Sequence, residues 1–76
     1  MTFEELRKQY ERFSEMAEKR GQVYCDNAED AKEKGNYESA SLYYNMASTA
    51  YNEATIYRKF VNDLNEVYKT MKGLVL

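Results

Sequence analysis

The chain contains no histidine, no tryptophan and no proline, one cysteine and only three glycines in 76 residues. Each absence removes a class of chemistry. Without histidine, and with Cys25 as the one thiol, no metal site of paired Cys and His ligands can be assembled, and Ser-His or Cys-His nucleophiles are out of reach. A single cysteine cannot close an internal disulfide, and Cys25, on the flank of an apolar stripe, reads as a small buried hydrophobe. No glycine-rich loop is present to cradle a phosphate. Carboxylates are plentiful, but on a helical surface they lack the concave, desolvating pocket that shifts pKa values. The expectation is a protein that is not an enzyme and that carries no cofactor and no metal.

Long apolar runs are missing too. Nothing approaches the roughly 20 residues of a membrane span, and the charged N-terminus has no signal-peptide core. Nor does one sign of charge dominate, since 11 basic residues stand against 13 acidic ones for a net charge of −2. There is no basic field to hold nucleic acid or an anionic membrane. These features predict a cytoplasmic protein that binds neither directly.

What the chain does contain is helical periodicity on both sides of one turn, Lys34-Gly35-Asn36-Tyr37. Glycine tolerates the left-handed conformation that ends a helix, and asparagine is a strong N-cap for the next one. Before the turn, apolar or small residues recur in steps of three and four at Phe3, Leu6, Tyr10, Phe13, Ala17, Gly21, Tyr24, Ala28 and Ala31. After it the stripe reads Ala40, Tyr43, Ala47, Ala50, Ala54, Tyr57, Val61, Leu64, Tyr68, Met71 and Val75. Folded back at Gly35, the two stripes fall opposite one another, Ala17 on Ala54, Phe13 on Tyr57, Tyr10 on Val61 and Phe3 on Tyr68. The pattern predicts an all-α fold, one domain over residues 1–76, built as a long antiparallel helical hairpin with helices at about 3–34 and 37–72.

Thr2 and Glu5 form a capping-box signature at the first helix, with Met1 and Leu6 spaced for a hydrophobic staple. Gly21 is the one obstacle in that helix. It either breaks the helix or lets the second helix approach closely at Ala50, and the unbroken Ala47, Ala50, Ala54 run favours the second reading. Gly73 is the expected C-cap of the second helix, followed by the apolar tail Leu74-Val75-Leu76.

A hairpin this long leaves surface uncovered. The second helix carries another apolar stripe, Leu42, Met46, Ile56, Phe60 and Val67, extended by Thr49 and Leu74 and interrupted by Glu53 and Asp63. Its three- and four-residue steps resemble the seam of a bundle and call for a partner, either another protein or a second copy that completes a four-helix homodimer. Tyr37, Tyr44 and Tyr51 follow one another by heptads on the opposite flank, where they bind a partner or shield the hairpin core. The first helix carries an acidic ridge, Glu4, Glu11, Glu15, Glu18, Asp26, Glu29 and Glu33, placed by a helical projection roughly opposite the core. It is either a solvated face or a surface for a basic groove on another protein.

The run Ala28-Glu29-Asp30-Ala31-Lys32-Glu33-Lys34-Gly35-Asn36-Tyr37-Glu38-Ser39-Ala40-Ser41-Leu42-Tyr43-Tyr44-Asn45-Met46-Ala47 resembles the centre of a tetratricopeptide repeat. It is similar also to the turn of microtubule-interacting-and-trafficking domains, where Gly-x-Tyr-x-x-Ala joins paired helices. Ala28 and Ala31 stand where such repeats usually have a glycine and a large aromatic, no proline closes the second helix, and there is no second copy to stack. The resemblance implies hairpin geometry and protein binding, with no ligand residues to carry over. In general style the chain also resembles the compact acidic helical inhibitors encoded by bacteriophages. The functional expectation is a small regulator or inhibitor that docks on a larger host or partner protein, the alternatives being an acidic nucleic-acid mimic and a self-assembling scaffold.

Overall fold

In the computed structural model, which describes residues 1–75, the chain forms two helices, α1 (Phe3–Glu33) and α2 (Tyr37–Val75). They pack against each other as an antiparallel hairpin measuring 62 × 16 × 13 Å along its principal axes. The side chains of Leu74 and Val75, and all of Leu76, lie outside the described residues, and with them the expected ends of both apolar stripes.

The turn works as its residue types require. Gly35 takes φ 78°, the only positive φ among the described residues. The Asn36 N–H donates to the Ala31 carbonyl at 2.8 Å and the Gly35 N–H to the Lys32 carbonyl at 3.0 Å, which is the Schellman pattern of helix termination. Asn36 then caps α2, its Oδ1 accepting from the Ser39 N–H at 3.2 Å. At the other end Thr2 Oγ1 accepts from the Glu5 N–H at 3.1 Å, so α1 starts where the capping signature places it.

As the unbroken Ala47, Ala50, Ala54 run favours, Gly21 does not break α1, which runs unbroken through it. The close approach it permits is that of the Tyr51 ring, whose Cζ would lie 2.8 Å from a Cβ at this position. Ala50 is buried as well. Gly73 does not stop α2 either, because the helix continues to Val75 and Gly73 has no positive φ. Glycine at a helix end is a stop only where the chain must turn back, as it does at Gly35 and not here.

The core is made of small residues. Ala17, Ala28, Ala40, Ala47, Ala50, Ala54 and Val61 are buried together with Gly21 and Ser14, and among the described residues no large side chain is fully buried. Ser14, Gly21 and Ala28 on α1, and Ala40, Ala47, Ala54 and Val61 on α2, recur at seven-residue intervals. Small side chains at this period let the two backbones come close together. The measure of that closeness is Ser14, whose Oγ, one bond beyond Cβ, donates to the Ala54 carbonyl on the opposite helix at 3.3 Å.

Toward the open end aromatic rings replace alanines. Phe3 stacks on Tyr68 with centroids 4.7 Å apart, and Phe13 meets Tyr57 at 5.6 Å, both as the folded-back stripes require. Tyr10 packs on the rings of Phe60 at 4.5 Å and Tyr57 at 6.0 Å.

Candidate functional site

The small-residue seam divides the outer surface of the hairpin into two flanks of different chemistry. On the first, Tyr44, Tyr51 and Arg58 descend α2 at heptad spacing and each meets α1. Tyr44 donates its phenolic proton to the Glu29 carboxylate, Tyr51 lies over Gly21, and Arg58 forms an ion pair with Glu18. Tyr44 and Tyr51 thus shield the hairpin core, while Tyr37 near the turn stays 70% exposed.

These contacts draw part of the acidic ridge to the seam. Of Glu4, Glu11, Glu15, Glu18, Asp26, Glu29 and Glu33, the two that bond to α2, Glu18 and Glu29, lie beside the helix–helix seam rather than opposite the core. A projection of one helix cannot say how far its partner's long side chains reach around it. Other members are engaged along α1 itself. Arg7 bonds Glu4 and lies 3.9 Å from Glu11, and Gln22 donates to Asp26 at 3.0 Å. Exposed pairs of this kind contribute about 0–1 kcal/mol each.

Two hydroxyls on this flank are held above their ordinary acidity range. The Glu29 carboxylate keeps the Tyr44 phenol protonated, chiefly through their hydrogen bond. Burial of the ring against α1 does the same for Tyr51, with Cys25 and Asp26 adding to it, although part of the Tyr51 ring remains in water. Cys25 itself is half-buried next to that hydroxyl. A phenol whose pKa is raised on folding contributes stability that is complete below its unfolded value of 10.0 and is lost as pH rises through the folded one. Tyr44→Phe is therefore expected to lower stability slightly at pH 7, where the contribution is complete, and to differ least from wild type at the alkaline end, so that the profile flattens there. Urea midpoints at pH 7 and above pH 10 measure this, and an unaltered alkaline slope would exclude the Glu29 bond.

The second flank is apolar. Leu42 is 60% exposed and Ile56 65%, and Met46, Phe60 and Val67 are exposed with them along α2. Phe60 is tied to the hairpin as well, its ring lying against Tyr10, so the stripe merges with the aromatic end of the core and is not a separate face. Near Leu42 and Met46 the surface dips into a groove of about 360 Å³ between the helices, with Tyr24 as its α1 wall and Ala50 at its floor. Arg20 of α1 and Glu53 of α2 bridge this groove at 2.7 Å. Neither Tyr24 nor this ion pair belongs to the stripe as read from α2 alone.

The flank is an exposed apolar strip beside one pair of opposite charges. Among the described residues no helix is long and apolar enough to cross a membrane, and no group of His, Cys, Asp and Glu is placed to hold a metal ion. No family model, curated protein or solved structure matches the chain.

Proposed function

We propose that the hairpin is a non-enzymatic protein–protein interaction module, a small regulator or inhibitor that works by laying the apolar flank of α2 on another protein. The observation that carries this reading is the exposure of Leu42, Met46, Ile56, Phe60 and Val67 along one side of a helix whose other side is already packed. Together they expose on the order of 500 Å² of side chain, at the upper range of what a monomer leaves in water. A helix that presents anchors three and four residues apart is the form in which amphipathic helices enter hydrophobic grooves. The likeness to protein-binding helical hairpins rests on the sequence run around Gly35-Asn36-Tyr37-Glu38-Ser39-Ala40.

The acidic flank gives mimicry of nucleic acid less support, because Glu18 and Glu29 are directed at Arg58 and Tyr44. The two readings separate by mutation. Wild-type chain immobilised in lysate of its source cell is expected to retain a stoichiometric protein, Ile56→Glu to lose it, and the triple reversal of Glu11, Glu15 and Glu33 to lysine to keep it. Retention should change little with salt, since apolar burial is not screened. Capture that survives Ile56→Glu but fails after the triple reversal would overturn the apolar reading in favour of the acidic one.

A further inference from the structure

We infer that the first occupant of the apolar flank is a second copy of this chain, in a two-fold dimer whose axis runs along the hairpin, so that each Arg20 meets Glu53 of the other copy. The inference rests on the flank being a docking surface and names what docks there.

Three observations lead to it. Among the described residues the buried core consists of alanines, Gly21, Ser14 and one valine, with no large side chain fully buried, whereas Leu42, Met46, Ile56, Phe60 and Val67 lie outside. A 9.0 kDa chain with so little interior needs further burial to hold two long helices together, and the partner present wherever the chain is present is the chain itself. The area suffices. About 500 Å² from the stripe, with the walls of the groove around Tyr24 and the aliphatic stems of Arg20 and Glu53, approaches the roughly 800 Å² per partner of a stable interface.

Charge then selects the geometry. Arg20 and Glu53 stand side by side, one on each helix, at the same level of the hairpin. A two-fold axis parallel to the hairpin, lying in the interface, sets α1 over α2 of the second copy and closes a ring of four alternating charges. An axis across the hairpin at that level would set arginine on arginine and glutamate on glutamate. The ion pair is self-complementary in the first arrangement only, and the first arrangement places both turns at the same end.

The test uses the full chain. Sedimentation equilibrium at micromolar concentration is expected to give twice the 9.0 kDa chain mass, with a Tm that rises with concentration; a monomer with a fixed Tm would overturn the inference. The charge-swapped double variant, Arg20→Glu with Glu53→Arg, keeps the pair within each hairpin and should dimerise as wild type does. Mixed with wild type it would put like charges opposite each other, so mixed dimers in native mass spectrometry should fall well below their binomial share. Mixed dimers at or above that share would overturn the axis. Ile56→Glu should be monomeric, and an Ile56→Glu chain that remains dimeric would remove the flank from both readings. A monomeric wild type whose capture of another protein is lost in Ile56→Glu would leave the docking surface standing and remove the second copy alone.

Discussion

Ala54→Leu is expected to destabilise the hairpin by about 1–3 kcal/mol. Ala54 is 1% exposed, stands at the level of Ala17, which is fully buried, and accepts the Ser14 hydroxyl on its carbonyl. Helices close enough for a serine to touch the opposite backbone have no room for three more carbons. To admit leucine they must separate, which breaks the Ser14 contact and loosens the neighbouring Glu18–Arg58 pair. In a domain with stability of about 5–15 kcal/mol at most, such a loss shows as a large fall in the urea midpoint. Glu15→Gln, on an exposed position of α1, should stay within about 0.5 kcal/mol of wild type. A neutral Ala54→Leu would mean that the seam is wider than the Ser14 contact implies.

The fold was legible because three kinds of local information agree. Gly35 and Asn36 can satisfy the end of one helix and the start of the next only by turning the chain, Thr2 fixes the beginning, and the two stripes match when folded at that point. What escaped the sequence follows from side-chain size. Serine reads as polar, yet Ser14 shares the seven-residue period of Gly21 and Ala28, and in an alanine seam a hydroxyl that can bond the opposite backbone is compatible with burial. Register pairs Gly21 with Ala50 and is silent on Tyr51, the side chain with the reach to lie over the glycine.

The candidate surface was legible in one helix and hidden in the other. Periodicity on α2 picks out Leu42, Met46, Ile56, Phe60 and Val67 directly, and all five are exposed. The contribution of α1, Arg20 and Tyr24 beside the groove, depends on which flank of α1 lies next to that stripe. Handedness of the turn decides this, and hydrophobic periodicity carries no information about it. A projection of α1 alone sets the whole acidic ridge opposite the core, whereas Tyr44 and Arg58 reach Glu29 and Glu18 from α2.

Gly21→Leu is expected to cost about 1–3 kcal/mol, and to cost far less once Tyr51 is also alanine. A Cβ at position 21 would lie 2.8 to 3.0 Å from three atoms of the Tyr51 ring, nearer than carbon atoms pack. Alanine there gains about 1 kcal/mol of helix propensity and has only to push aside the tip of a ring that can swing toward solvent, so its two effects offset. Leucine must displace the ring altogether, which exposes the face of Tyr51 that now covers α1 and frees its hydroxyl from Cys25. Removing the ring first reverses the balance. In a Tyr51→Ala chain the new leucine occupies the vacated space and retains the propensity gain, so the double variant should be more stable than the sum of the single losses by on the order of 1 kcal/mol or more. Four urea titrations close the cycle. Strict additivity would mean that the ring and the glycine do not depend on one another, and the reason for a glycine in the middle of a 31-residue helix would then have to be sought on the backbone rather than across the seam.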